Sequence, residues 1–464
     1  MTDYDTISFI TEDYMDIIET RRIYFHKVLM IGIPVVLQNL ISISLNLLDT
    51  IMIGRLGENE VAAVGAANQV YFVFTVTMFG LFSGAAVFTA QYWGAKNLDG
   101  VHKMVGIDYF VGALLAVLVS LASYIFAPHI IRVFSSSPEV IEIGARYLRI
   151  VCISYLFGTI SMAISYNCRA VQNLKFPTCI SLIAFFMNAS LNYILIFGKL
   201  GMPALGAQGA AIATLIARVF ECAILLIYLI FDKEHPLHAS IGNLFSFDRK
   251  LFLRVMRTAL PVVATEGSWA MSFALILAAY GKLGTSALAV AQVANVIASV
   301  LQSLYFGLGN STAVIIGEGL GQRNKEKAQY FGKLSLITTI VFNIVVTSFL
   351  ILISSRIASI YAFNAETMEL LIKTIIVEAI LITPKMTAYM FIVGILRAGG
   401  DTVFCMKIEI FCNLLISLPL AYISVMVLHV SLPIALIIVD IGDVIRILVC
   451  YPRYKSRKWI NILT

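Results

Sequence analysis

The chain contains the same long segment twice. Residues 34–97 align with residues 261–324 at a shift of about 227 positions without a gap, and roughly a quarter of the aligned residues are identical. Glycines, prolines and asparagines fall into register, for example Asn97 with Asn324. A repeat of this length means that the fold is built from two copies of one unit.

Composition indicates the solvent in which these two units fold. The 464 residues are 59% hydrophobic and 13% charged, with a mean hydropathy of +0.90, whereas soluble domains carry about 25% charged residues. Apolar runs of about 20 residues, the length that crosses a bilayer, recur along the chain. They lie at residues 28–54, 61–88, 104–127, 141–167, 176–198, 206–231, 251–281, 287–315, 329–353, 368–396, 403–426 and 430–451. The sequence therefore predicts an all-α integral membrane protein with twelve transmembrane helices.

Twelve spans assign six helices to each repeat. An even number of spans leaves both copies in the same orientation, so we predict two six-helix bundles related by an internal parallel repeat. The expected divisions are a cytoplasmic N-terminal segment 1–27, an N-lobe 28–231, a cytoplasmic linker 232–250, a C-lobe 251–451 and a basic C-terminal tail 452–464.

Lysine and arginine set the expected orientation. They concentrate at one set of span ends and in the linker and tail, and basic residues near span ends stay in the cytoplasm. We therefore predict a multi-pass protein of the cell (inner or plasma) membrane with both termini cytoplasmic. The formal charge of +6 is explained by these flanks facing anionic lipid and does not argue for nucleic acid.

Polar residues at membrane depth are the functional candidates, because a bilayer makes them costly. Asp49 lies in the outer half of the first span, and Asn188 and Asn192 share one face of the fifth. A carboxylate beside carboxamide oxygens is able to hold Na⁺ or a proton. The alternative is that Asp49 pairs near the interface and the asparagines join helices.

The second repeat does not copy this arrangement, since Ile276 stands opposite Asp49. Glu266 and Lys385 instead lie near the middle of their spans, and Glu378 is two turns before Lys385. An acid and a base at matching depth suggest a buried pair between Glu266 and Lys385, linked to transport or permanently structural.

Other charged residues are interpreted as satisfied locally. Arg218 and Glu221 are three residues apart and are expected to pair on one helical face. Asp440, Asp443 and Arg446 form a similar stripe in the last span, which we expect to be solvated at its cytoplasmic end.

Chemistry of other kinds has little support in the sequence. The seven cysteines include no CxxC pair, so neither a disulfide framework nor a zinc site is indicated. There is no Walker loop, and no catalytic triad or metal-ligand spacing stands out. We expect neither an enzyme nor a cofactor.

Several short motifs together are similar to the multidrug and toxic compound extrusion (MATE) family, from about residue 25 to the C-terminus. They include Asp49-Thr50, Gln91-Tyr92-Trp93-Gly94, Leu191-Asn192-Tyr193 and Leu396-Arg397-Ala398-Gly399-Gly400-Asp401-Thr402. The resemblance implies two six-helix bundles that form a V around a central cleft. It also implies export of organic cations and related small-molecule drugs in exchange for Na⁺ or H⁺. A two-lobed transporter in the lipid bilayer is able to work alone, so we expect a monomer.

The resemblance carries over to individual residues in the N-lobe. Asp49 matches the family's aspartate of span 1, and Asn188 and Asn192 match the two polar residues of the cation site in span 5. Asparagine at the second position resembles the NorM-type bacterial branch, and Thr214 matches a threonine that lines the same site in some members.

The C-lobe departs from the family pattern. The family's acid in span 7 usually follows the proline by about two turns, whereas Glu266 follows Pro261 by five residues. The span 10 aspartate of NorM-type members has no clear match, and Glu378 and Lys385 occur there instead. The resemblance therefore supports an ion site in the N-lobe better than one in the C-lobe.

Two alternatives to antiport stay open. A flippase for a lipid-linked saccharide shares the two-bundle design but would need several basic residues in its cleft, and the sequence offers Lys385 and Arg218 near mid-membrane. A membrane-embedded enzyme or receptor is the other alternative. An enzyme needs a catalytic constellation, and a receptor has no need of a twelve-span repeat.

Overall fold

The structure is a computed structural model that describes residues 3–361 and 363–464. Within these ranges the regular structure is helical and contains no strand. The N-lobe comprises α1 (Asp3–Gly54), α2 (Glu58–Gly94), α3 (Leu98–Arg132), α4 (Pro138–Val151), α5 (Ser154–Ala170), α6 (Lys175–Phe197) and α7 (Ala207–Phe231). The linker contains α8 (Ile241–Leu244). The C-lobe comprises α9 (Arg249–Tyr280), α10 (Thr285–Gly321), α11 (Lys325–Ala358), α12 (Ala365–Tyr389), α13 (Thr402–Ile410), α14 (Leu418–Tyr422), α15 (Leu432–Val439) and α16 (Ile441–Lys455).

The helices correspond to the predicted spans. Ten helical segments of the described chain are long and apolar enough to cross a membrane, and α4 with α5, bent by 48°, makes an eleventh. Short π-helical stretches extend α12 and connect α13 with α14. The pair α15 and α16 occupies the place of the twelfth predicted span, where the chain is interrupted at Asp440 and carries several charges. The predicted all-helical, two-lobed fold is confirmed.

The repeat is visible in the backbone as well as in the sequence. Asn97 caps α3 by accepting a hydrogen bond from the Gly100 amide, and Asn324 caps α11 in the same way through the Lys327 amide. The preceding residues, Lys96 and Arg323, both adopt left-handed conformations, with φ of 56° and 58°. Equivalent positions therefore form equivalent turns in the two lobes.

The two lobes meet at the end of the bundle where both chain termini lie, called here the termini face. Helix α2 packs against α9 and α10, and α1 packs against α10. Lys27 of α1 forms an ion pair with Glu318 of α10. The Leu463 amide donates to the side chain of Gln91 over 2.7 Å. The structure therefore describes a state in which the termini face is closed.

The linker is docked on the N-lobe near the termini face. Its His235 is 4% exposed, and the Nδ1 atom of this histidine accepts a hydrogen bond from the Leu237 amide over 3.1 Å. Burial lowers the pKa of His235 below its ordinary value, against a smaller opposing effect of Asp232. The linker thus holds a neutral, packed histidine.

Candidate ion and substrate sites

Asp49 of α1 and three polar side chains of α6 and α7 form one hydrogen-bonded cluster in the N-lobe. Asn192 donates from Nδ2 to Asp49 Oδ1 over 2.5 Å and to Asn188 Oδ1 over 3.0 Å. Asn188 donates from Nδ2 to Thr214 Oγ1 over 3.3 Å. The asparagines are four residues apart and share one face of α6, and α6 packs against both α1 and α7. The structure therefore brings together the four residues that the sequence selected.

The chemistry of this cluster suits a cation. Asn192 is fully buried, and its Oδ1 atom has no hydrogen-bond partner in the described structure. Carboxylate and carboxamide oxygens are the ligands that hard cations prefer. The unpaired oxygen beside Asp49 is thus an available ligand for Na⁺. The carboxylate is the group that would take up a proton instead.

Arg218 of α7 is the basic neighbour of this cluster. It donates from Nη1 to Glu221 over 2.9 Å, which is the pairing that the sequence spacing predicts, and Ser181 donates to the same carboxylate over 2.7 Å. Arg218 follows Thr214 of the cluster by four residues on α7, so the two share one helical face. The site is consequently a carboxylate with one paired guanidinium nearby.

The C-lobe contains a partly open cavity of about 280 Å³. Aromatic side chains line part of it, with Phe79 of α2 contributing from the N-lobe. Charged side chains line the rest: Glu266, Glu378, Lys385, Arg397, Glu409, Asp440, Asp443 and Arg446. An aromatic wall beside acidic groups is suited to an organic cation.

The charged residues of this cavity are paired differently from the sequence-based expectation. Lys385 donates to Glu378 over 2.9 Å and lies 4.0 Å from Asp440. Glu266 instead accepts a hydrogen bond from Arg397 over 2.8 Å. The expected pair between Glu266 and Lys385 is therefore not formed in this structure. Lys385 has closer partners in Glu378, two turns earlier on α12, and in Asp440 at the α15–α16 junction. Arg397 follows the π-helical stretch that extends α12, and it reaches Glu266 from there.

The stripe on the last helices is buried, which corrects the expectation that it is solvated. Asp440 is 2% exposed, and neither of its carboxylate oxygens has a hydrogen-bond partner in the described structure. Arg446 forms an ion pair with Asp443, lies 3.3 Å from Glu409 and donates to Asn413 over 2.7 Å. The sequence already indicated that these charged residues lie together, because Asp440, Asp443 and Arg446 follow one another at intervals of three and therefore share one helical face.

The MatE family model matches residues 34–194 and 261–423, which together are more than half of the chain. The protein belongs to the MatE family. One matched segment falls in each lobe, in agreement with the repeat. Members of the MatE family are transporters and not enzymes.

Two relatives are distant in sequence and align with most of this chain. The chain is 24% identical to the probable multidrug resistance protein YoeA of Bacillus subtilis (strain 168), over 84% of this chain and 85% of that protein. It is 25% identical to the probable multidrug resistance protein NorM of Mannheimia succiniciproducens, over 87% and 86%.

Two solved structures show the same fold. A MOP superfamily transporter from Pyrococcus furiosus superposes with a TM-score of 0.83 at 20% identity, covering 93% of this chain and 95% of that one. The outward-facing conformation of a multidrug resistance MATE family transporter also gives 0.83 at 20% identity, covering 93% and 96%.

Proposed function

We propose that this protein is a secondary antiporter that exports organic, often cationic, compounds in exchange for Na⁺ or H⁺. The observation that carries the proposal is the convergence of Asp49, Asn188, Asn192 and Thr214 from three helices into one buried cluster. The two relatives are named as probable multidrug resistance proteins, and these names support the same substrate class.

The C-lobe cavity is the proposed substrate site. Each basic side chain that lines it is paired with a carboxylate: Lys385 with Glu378, Arg397 with Glu266, and Arg446 with Asp443. Asp440 and Glu409 add further carboxylates, so acids outnumber bases among the lining residues. This excess favours a cationic substrate held against the aromatic wall.

The coupling ion is proposed to act at Asp49. An ion drives exchange only if it binds one conformation better than the other. In this structure the termini face is closed, which corresponds to an outward-facing state if the termini are cytoplasmic as the basic flanks predict. An ion that binds to Asp49 competes with the hydrogen bond from Asn192 to this carboxylate, and it thereby changes how α1 packs against α6.

The test is efflux of ethidium, a fluorescent organic cation, from proteoliposomes. An inward Na⁺ gradient and an inward H⁺ gradient are imposed separately on the wild type, Asp49→Asn and the surface control Asp99→Asn. We expect one gradient to drive uphill efflux in the wild type and the control, and Asp49→Asn to abolish it while remaining folded in the membrane. Undiminished efflux by Asp49→Asn would refute the role of Asp49.

A flippase for a lipid-linked saccharide is the alternative, since further arginines line the C-lobe cavity in addition to Lys385. Arg397 lies 2.8 Å from the Glu266 carboxylate, and Arg446 forms an ion pair with Asp443. The cavity therefore offers a diphosphate little uncompensated positive charge. We therefore place the protein, as a monomer of the cell membrane, among the antiporters.

A further inference from the structure

Two arginines at equivalent repeat positions reach across the lobe interface in opposite directions. Arg169 of the N-lobe donates from Nη1 to Asn310 Oδ1 of the C-lobe over 2.9 Å. Arg397 of the C-lobe donates from Nη1 to Ser83 Oγ of the N-lobe over 3.2 Å. Ser83 and Asn310 are themselves equivalent at the repeat shift, and the arginines are equivalent after a slip of one residue. The two contacts are therefore the same contact made twice.

Both arginines are closed off from water between the lobes. Arg169 is 9% exposed and Arg397 is 2% exposed, and they line one small cavity of about 40 Å³. The Nε atom of each has no hydrogen-bond partner in the described structure. The free energy of a buried charge depends strongly on its few polar partners. The acceptors Asn310 and Ser83 across the interface therefore stabilise this closed state.

The two contacts differ in one respect. Arg397 also donates from Nη2 to Glu266 over 2.8 Å, and both residues line the large C-lobe cavity. Position 39, the equivalent of Glu266 in the first repeat, is Asn39. Arg169 instead lies over the ring of Tyr166, 4.5 Å from its centroid. The Arg397 contact is thus connected to the proposed substrate site, whereas the Arg169 contact has no acidic partner among the ion pairs of the described residues.

We propose that Arg169–Asn310 and Arg397–Ser83 form a clasp that holds the termini face closed, and that a cationic substrate at Glu266 weakens it. A cation beside Glu266 shares the carboxylate with Arg397 and repels the guanidinium. Closing the clasp therefore lowers the affinity for the cation and promotes its release on the opposite side, because differential affinity is what couples binding to conformation. The competition at Glu266 rests on the proposed function, whereas the clasp itself does not.

The first experiment measures closure without substrate or gradient. Spin labels are placed at Leu98→Cys and Lys325→Cys, exposed and repeat-equivalent residues at the starts of α3 and α11, in a Cys179→Ser background that removes the exposed native cysteine. Ser83→Ala, Asn310→Ala and their combination remove acceptors and keep both arginines. Ser299→Ala, which removes a hydroxyl that donates within α10 to the Asn295 carbonyl, is the matched control.

We expect each single variant to raise the ratio of long-distance to short-distance molecules by about 10-fold to 100-fold, because each removes a hydrogen bond to a charged group. The double variant should raise this ratio further. Ser299→Ala should match the wild type. Unchanged distances in the folded double variant would overturn the clasp, whatever the efflux assay shows.

The second experiment adds ethidium, with its binding followed by fluorescence in the same samples. Ethidium should raise the long-distance population in the wild type and do so less in Glu266→Gln, which keeps a hydrogen-bond acceptor for Arg397 but lacks the charge. Bound ethidium that leaves the distances unchanged in both proteins would overturn the competition at Glu266. Loss of gradient coupling in the efflux assay, with both distance results as expected, would instead count against the proposed antiport alone.

Discussion

A methyl group at Gly84 should force the lobes apart at the termini face. Gly84 of α2 faces the backbone of α9, where a Cβ atom would lie 2.5 Å from Ala259 Cα and 3.0 Å from Ala259 Cβ. The nearest obstacle is main chain, so no change of rotamer relieves it. Gly65, in the same helix, has no neighbour within 4 Å of the corresponding position and provides the control.

The expected magnitude follows from the overlap. Replacing glycine by alanine inside a helix gains about 1 kcal/mol at either position, and this gain cancels when the two variants are compared. Overpacking a tight contact costs about 1–3 kcal/mol. Because α2 and α9 belong to different lobes, separation of the lobes removes the cost. At a factor of ten for each 1.4 kcal/mol, the equilibrium should shift by about 5-fold to 150-fold toward the separated state.

Distances between labels at Leu98 and Lys325 measure this shift. Gly84→Ala should enlarge the long-distance population relative to Gly65→Ala, and ethidium efflux should fall because the closed state is harder to reach. Identical distance distributions in the two folded variants would show that the contact between α2 and α9 does not hold the lobes together.

Three further predictions concern the ion site, the substrate site and the linker. Asn192→Ala should raise the ion concentration for half-maximal exchange by about 10-fold to 100-fold, as the loss of a supporting ligand does at other ion sites; an unchanged ion dependence of efflux would count against the cluster. Asp440→Asn should weaken ethidium binding, measured by fluorescence titration, by about tenfold, and equal affinity in Asp440→Asn and the exposed control Asp99→Asn would exclude Asp440 from the substrate site. Because burial lowers the pKa of His235, the docked linker binds a proton less readily than the undocked one, and docking should weaken as the pH falls through about 6.5. Amide hydrogen exchange in the linker, corrected for intrinsic rates, should therefore rise between pH 7 and pH 5 in the wild type and not in His235→Asn; the same rise in both would contradict this explanation.

The N-lobe cluster was predictable because its signals are local. Asn188 and Asn192 share a face through their spacing alone, and Asp49 is conspicuous as an acid within an apolar span. The repeat indicated the division into two lobes, and the apolar runs indicated the spans.

The C-lobe pairing was not predictable from depth alone. Counting residues along a span gives the height of Glu266 and Lys385 and says nothing about the direction in which each side chain points. Arg397 follows directly after the predicted span 368–396, yet it is buried and reaches Glu266. The stripe of Asp440, Asp443 and Arg446 was expected to be solvated at the cytoplasmic end of its span, whereas all three residues line the cavity.

Coupling itself is tested most directly by asking whether the drug moves the ion. Proteoliposomes are loaded with ethidium with no imposed ion gradient, and inward movement of ²²Na⁺ and of protons is followed as ethidium leaves. Antiport through Asp49 predicts that ethidium exit drives inward movement of one of these ions in the wild type, and that Asp49→Asn shows none. Ethidium exit without movement of either ion in the wild type, or equal ion movement in Asp49→Asn, would contradict the account.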